Sequence, residues 1–554
     1  MQPSTLITRL RSVLRGDVTN APAEIEKYSR DTSIFTRTPE VVVYPKDASD
    51  VSALVREVQQ AKKDGLTASV TARAAGTCMS GGPLTTSVVA VFTKYMNKVL
   101  EVGDGFAVCE PGVFYRDFEK ATLTHNNQVL PSFPASREIA AMGGIVNNNS
   151  GGERTLEYGK TAKYLEEVEV ILDDGSRTTF RSLTLSEVEQ KCTLNTREGA
   201  IYREMRELLQ THKDEVEEAR PTVSKNSAGY ALWDVIDPVT GNMNLAKLIC
   251  GAQGTLALTT KMKLSLVHQQ EHRAMLVIFL SQLELLPEIV RTVLPFNPES
   301  FESYDDHTFT LAIKFLPQML RQMGFLPALR LGLSFIPEAL MVLRGGVPKL
   351  VLMAEFSEDT AEAALFAAGQ AYAALRPLEL AMSIKRNEAA AEKYWKVRRE
   401  SFSLLRKNAH GLYAAPFIDD FVVHPDTYPE FLPKLDALLA EYKNDFIYTI
   451  AGHIGNGNFH IIPLIDMNTK RAHDVVMELM PKVYDLVIEY GGTTTGEHND
   501  GIIRTPYLPQ LFGASMVTLF EKTKTIFDPE NIFNPGKKVH GTFADIERDM
   551  IGRV

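Results

Sequence analysis

Thr67–Met96, TASVTARAAGTCMSGGPLTTSVVAVFTKYM, decides how the first half of the chain is read. A β-branched strand runs into a loop of small residues, RAAGTCMSGGP (73–83), and the chain resumes as a second strand, SVVAVFTKYM. Small residues let backbone amides approach phosphate oxygens closely. The loop is neither a Walker A loop nor GxGxxG, so by itself it reads either as a phosphate cradle or as a plain turn. Upstream, EVVVYPKD (40–47) reads as a strand and DASDVSALVREVQQAKKDG (47–65) as an amphipathic helix with an Asp cap and a Gly stop.

From about 104 to 270, short strands and Gly/Asn turns dominate: GFAVCEPGV, LEEVEVILDDGSRTTF and GTLALTTKMKLSLV. Residues 1–270 therefore read as one α+β domain in two parts. A second α+β domain, 271–500, is expected to carry an antiparallel sheet, beginning with HRAMLVIFLS. In it DTAEAALFAAGQAYAAL and SIKRNEAAAEKYWKVRRESFSLLRKNA read as helices, and VLMAEF, FVVHP and FIYTIAGH as strands. The tail, 501–554, ends in turn chemistry at FNPGKKV.

With 554 residues, 44% hydrophobic and 23% charged, the composition is that of a globular chain of two or three domains. A net charge of −10 argues against nucleic acid as a partner. Cys78, Cys109, Cys192 and Cys250 are scattered, which argues against a disulfide framework and an intrinsic iron–sulfur cluster, and fits a reducing, cytoplasmic compartment. No apolar run is long enough to span a bilayer. The Arg-rich start, MQPSTLITRLRSVLRGD, has a faint transit-peptide character, but Leu6, Leu10 and Leu14 recur at helical spacing and favour an ordinary first helix.

Chemistry concentrates near the C-terminus. In AGHIGNGNFHII (451–462), Asn456-Gly457 is the preferred centre of a two-residue hairpin turn. That turn sets His453 opposite His460, with Cβ atoms about 5 Å apart, close enough to share one metal ion. GGTTTGEHND (491–500) offers Glu497 as a third ligand and His498 as a base. Two imidazoles and a carboxylate suit Zn²⁺, Mn²⁺ or Fe²⁺. The alternative is a solvated hairpin that happens to end in histidines.

These motifs recur in a fixed order: RAAGTCMSGG, EPGV (110–113), AAMGGIVNNNSGGERTLEYGKT (140–161), GAQGTLALTT (251–260), HxGxGNxH and GEH. From YSRDTS (28–33) to NPGKKV (534–539) the chain resembles the FAD-linked oxidases of the vanillyl-alcohol-oxidase (p-cresol methylhydroxylase) fold. Within them it is most similar to the D-2-hydroxy-acid dehydrogenases acting on D-lactate, D-2-hydroxyglutarate or glycolate. The resemblance implies an FAD-binding domain over 1–270, a substrate (cap) domain, and a C-terminal segment returning to the flavin. It assigns the pyrophosphate to Ala75, Gly76, Thr77, Ser80 and Gly81. It lays Met142, Gly143, Gly144, Asn147, Asn149 and Gly152 along the flavin, and adds Arg73, Cys78, Gly82, Pro134, Gly254 and Asn534 to the cradle. Cys78 stands where the family often has Gly, and Gln253 where it has Glu. With no histidine in 73–83, FAD is expected without a covalent link.

The resemblance gives His453, His460 and Glu497 to the metal, His498 to the substrate proton, and Arg398, in YWKVRRESF (394–402), to the substrate carboxylate. GEHNDG departs from the commoner GEHGIG, and Asp500 becomes a candidate to orient His498. Phe402, Ile418 and Ile462 replace polar residues of the hydroxyglutarate branch, favouring D-lactate or another short acid; Arg504, as a distal cation, would reverse this. The alternatives are the same chemistry on D-2-hydroxyglutarate, or a non-catalytic flavin electron-transfer subunit. Without an iron–sulfur relay, the electrons are expected to leave to a quinone or a separate carrier. The Pro-broken, basic and apolar stretch 308–350 is a candidate membrane-facing insertion, placing the protein peripherally on the inner face of the cytoplasmic membrane, or else packs on the cap domain.

Overall fold

The computed structural model describes residues 4–306, 346–408 and 411–552. Most of the apolar insertion, 308–345, and with it the membrane-facing expectation, lies outside the described residues. Among those described, no helix is long and apolar enough to cross a membrane.

The strands of the Thr67–Met96 stretch are Val70–Arg73 and Val88–Val91, paired in parallel, with Val41–Tyr44 parallel on the other side of Val88–Val91. Parallel strands are covered on both faces, which is why Val88–Val91 is buried throughout and reads as an unbroken apolar run. The crossover is helix Ala48–Lys63. Asp47 caps it, accepting from the Ser49 and Asp50 amides, and Val51, Leu54, Val55 and Val58 form its buried stripe. The second part of this half is a six-stranded sheet in which Leu258–Ser265 lies between Leu165–Ile171 and Phe106–Cys109, antiparallel to both.

A third sheet has the strand order Ala381–Lys385, His272–Leu280, Leu350–Glu358, Ser300–Asp305, Ile450–His453, Asn458–Ile461, all antiparallel. Its two faces follow the strand period. Ala274, Leu276 and Ile278 enter the large core beneath helices Leu286–Val293 and Ala361–Leu375. Met275, Val277 and Phe279 meet Tyr394, Trp395 and Val397 of helix Glu388–Asn408. This helix starts later than SIKRNEAAA suggests, because Ala381–Lys385 is taken up as the edge strand. FVVHP is not a strand either: Asp420 turns the chain with φ +72°, and Val422 makes only single bridges, to Asn458 and Thr493. Beyond residue 500 the chain packs back on the first half, with Met516, Leu519 and Phe520 in its core and Phe533 bridging to Val70.

Candidate active site

His453 ends strand Ile450–His453 and His460 lies in Asn458–Ile461, but they are not opposite one another. A 3-10 turn over Ile454–Asn456 replaces the expected two-residue turn, and Gly457 closes it in the left-handed region, φ +73°. A Cβ at Gly457 would meet the Val423 carbonyl oxygen at 1.8 Å. The longer loop shifts the register by two, so His453 pairs with Asn458 and His460 with Ala451. A shift of two keeps every side chain on its face. The imidazoles therefore still converge, with ring centroids 5.1 Å apart.

Glu497 and His498 follow helix Lys470–Glu489 in a loop pinned from beneath by Asp420, whose carboxylate accepts from both backbone amides and from the Thr495 hydroxyl. Glu497 Oε1 lies 3.4 Å from His453 Nε2. One nitrogen each of His453 and His460 and an oxygen of Glu497 all lie within 4.8 Å of one another. Both histidines are anchored on the opposite side of the ring: Nδ1 of His453 lies 2.6 Å from Glu302, and Nδ1 of His460 lies 3.0 Å from Asp419. That arrangement fixes the tautomer and leaves Nε2 for a metal. The donor set fits a divalent cation. Lys225, fully buried, pairs with the same Glu497 oxygen, Oε1, that faces His453.

His498 stacks on His460 at 5.2 Å and shares its anchor, with Nδ1 2.6 Å from the other oxygen of Asp419. Burial works against the Asp419 carboxylate, but His498 and His460 outweigh it and hold its pKa well below the usual carboxylate range. Burial equally works against the imidazolium of His498; Asp420 and Asp419 win, and its pKa rises to about 9. A cation bound in the cluster would oppose that proton. Asp500 does not orient His498: it accepts from the Gly229 amide and pairs with Lys538 at 3.0 Å. Asn499 stands at the position of a family glycine in the left-handed region, φ +69°, which Asn tolerates. Its side chain donates to the carbonyls of Asn148 and Gly251. Arg504 is fully buried, donating to the Asp419 and Asn499 carbonyls, and reaches no substrate space.

The cluster opens into a cavity of about 760 Å³ that runs to the glycine-rich loop. Of the residues assigned to the cofactor, Ala75, Gly76, Thr77, Cys78, Gly82, Pro134, Gly143, Gly144, Asn147 and Gly254 lie in its wall. The others stand behind it. Arg73 donates to the Tyr28 and Arg30 carbonyls, Ser80 to that of His498, and Asn534 to those of Gly82 and Gln253. Met142 and Gly81 are buried, Asn149 receives the Ala162 amide, and a Cβ at Gly152 would meet the Phe133 oxygen at 2.0 Å. A cavity walled on this side largely by small residues and backbone fits a dinucleotide. Arg398, His453, His460, Glu497 and His498 share this wall, and Arg398 is paired with Glu302. Ile462 also lines it, Ile418 is core, and the side chain of Phe402 is outside the description.

Glu302, Asp419, Asp420 and Lys225 were not singled out in the sequence. Their signal is charge inside apolar or small-residue runs: SFESYD, FIDDF and SKNSAGY.

Residues 39–181 match the FAD binding domain, and residues 269–538 match the family described as FAD linked oxidases, C-terminal domain. The chain belongs to the FAD-linked oxidases. It is similar to D-2-hydroxyglutarate dehydrogenase of Pseudomonas putida, 27% identical over 546 residues, covering 97% of this chain and 52% of that protein. It is also similar to D-lactate dehydrogenase of Archaeoglobus fulgidus, 25% identical over 505 residues, covering 90% of this chain and 91% of that one. The chain spans about half the length of the first curated relatives it matches. Among solved structures, 4-ethylphenol oxidase from Gulosibacter chungangensis superposes with a TM-score of 0.67 at 15% identity, covering 98% of both chains. The fold is therefore that of the p-cresol methylhydroxylase group, a two-part FAD-binding domain plus an α+β cap.

Proposed function

We propose that this protein is an FAD-dependent oxidoreductase that oxidises a D-2-hydroxy acid, D-lactate or a similarly short acid, to the 2-oxo acid. The observation that carries this reading is the single cavity joining the glycine-rich cradle to the His453–His460–Glu497 cluster, with Arg398 in the same wall. When bound, FAD supplies the hydride acceptor, and a divalent cation supplies the Lewis acidity that makes a hydroxyl easier to deprotonate. The chain's own residues do the rest. His453, His460 and Glu497 hold the cation. Arg398 grips the substrate carboxylate through its planar fork. His498 takes the hydroxyl proton at Nε2, its other nitrogen held by Asp419.

The same chemistry on D-2-hydroxyglutarate is favoured by a second guanidinium in the wall, Arg399, which Glu153 holds at 2.5 Å. The electrons pass on to a quinone or a separate carrier, at the membrane surface if the 308–350 insertion binds lipid.

Anaerobic mixing with D-lactate, L-lactate and D-2-hydroxyglutarate, following flavin absorbance near ~450 nm, tests the assignment. Bleaching by D-lactate and not L-lactate is expected. Bleaching by D-2-hydroxyglutarate alone moves the assignment to the longer acid, and a flavin untouched by all three leaves an electron-transfer subunit.

A further inference from the structure

Glu302 has no part in the chemistry above, yet it touches both halves of the site. It sits in strand Ser300–Asp305, where all six residues are buried, between Leu350–Glu358 and the histidine-bearing strand Ile450–His453. One carboxylate oxygen lies 2.6 Å from His453 Nδ1, and the other pairs with the guanidinium of Arg398. Its side chain is 1% exposed, so neither contact is exchanged for water.

We propose that Glu302 is a positioning residue for the metal centre: it fixes His453 as a metal ligand, and through Arg398 it holds the carboxylate grip in register with that ligand. This inference rests on the metal reading given above. An imidazole that donates its Nδ1 proton to a carboxylate is locked in the tautomer with an Nε2 lone pair, and is a more basic ligand for it. Here that lone pair faces Glu497, 3.4 Å from His453 Nε2. The strand supplies the rigidity. Ser303, next to Glu302, pairs with Gly452, next to His453, so the carboxylate and the imidazole leave adjacent backbones at a fixed spacing. No helix end or mobile side chain intervenes between them.

The test is Mn²⁺ binding to the metal-stripped, FAD-loaded protein, read by the loss of the free-ion electron paramagnetic resonance signal. Glu302→Gln keeps the volume and removes the charge. Glu302→Asp keeps the charge and withdraws the oxygen from Nδ1. Both are expected to lose about 10- to 100-fold in Mn²⁺ affinity while retaining FAD. Glu153→Gln removes a carboxylate that pairs with Arg399 and not with His453, and should change the affinity by less than about twofold. In a His453→Ala background the Glu302→Gln penalty should vanish, because a residue acting through another is non-additive with it.

Wild-type Mn²⁺ affinity in either Glu302 variant overturns the proposal. So does a penalty that persists undiminished in the His453→Ala background, since that is a charge acting at a distance. If the wild-type protein binds no Mn²⁺, or binds it equally well after His453→Ala, the metal reading itself fails and takes the proposal with it. The Asp variant, which preserves the ion pair's charge, keeps the question answerable should the Gln variant not fold.

Discussion

Asp419 is the residue on which the most chemistry turns. Its two oxygens each take one histidine, His460 at 3.0 Å and His498 at 2.6 Å, so a single buried carboxylate sets both a candidate metal ligand and the candidate base. Replacing it by Asn keeps the shape but offers an amide that can hold either ring in the wrong tautomer. Asp419→Asn should slow flavin reduction by about 10²- to 10⁴-fold, in the range of losing a general base, with FAD retained. Stopped-flow reduction under anaerobic conditions measures it; a variant reduced at the wild-type rate would assign Asp419 to packing alone. The neighbouring His498→Ala should show a similar loss of rate, and combining the two should cost little more than either alone, because they act as one unit. The sequence carried half of this. HxGxGNxH and GEH name the candidate ligands and the candidate base because histidine and glutamate are uncommon in such glycine frames. FIDDF names nothing by itself, since a pair of acids in a single sequence reads equally as a solvated turn. Asp500 shows the converse: adjacency in sequence to His498 suggested an orienting role, but in the fold it faces Lys538.

At the scale of the element, the hairpin shows what periodicity settles and what it leaves open. That both histidines share a face was legible, because alternation has a period of two and survives any even slip. Which residues oppose each other was not, because Asn456-Gly457 is compatible with a two-residue turn and with the observed 3-10 turn alike, and the choice is made from outside. Val423 presses its carbonyl onto Gly457 and accepts no side chain there, while the Val423 amide donates to the Gly457 carbonyl. Gly457→Ala therefore meets both a positive φ and a hard contact. It should destabilise the protein by about 1–3 kcal/mol or more, and it should weaken Mn²⁺ binding as the histidines separate. Denaturant unfolding and the Mn²⁺ titration check the two effects; unchanged values in both would mean that the loop relaxes freely. The helix over Ala48–Lys63 is the contrasting case. Its cap, its stripe and its glycine stop are all local, so the sequence alone located it within a residue or two at each end.

For the whole molecule, the division into an FAD-binding half and an antiparallel cap was readable from motif order, but the way the halves meet was not. Beside the apolar contact of Ile34, Phe35 and Leu84 with the cap's core, part of the junction is made by charges far apart in sequence, continued inside the cap by a buried ionic cluster. Arg154 of the first half pairs with Glu299 of the cap, Arg399 of the cap with Glu153 of the first half, and Arg273 gathers Glu299, Glu355 and Glu388. No local pattern announces a pair such as Arg154 with Glu299, because each residue alone looks like ordinary surface charge. The cluster holds more buried carboxylate than its guanidinium groups neutralise, and Glu355 shows it. Burial, with Glu299 beside it, pushes its pKa up to about 7, against the Trp395 hydrogen bond and Arg273. An unfolded glutamate titrates near 4.3, so between about pH 4.3 and 7 the folded state holds a proton that the unfolded state has lost. Stability linked to Glu355 is therefore complete below about pH 4 and is lost as pH rises toward 7, after which the charged form is carried at a constant cost. Glu355→Gln can still accept from the Trp395 indole and never ionises. It should be more stable than wild type by about 1–3 kcal/mol at pH 8, with the advantage disappearing near pH 4. Urea unfolding of both proteins at the two pH values decides it. An advantage that is the same at both would remove the buried charge as its cause, and a variant less stable at pH 8 would mean that Arg273 needs the Glu355 carboxylate ionised to hold the two halves together.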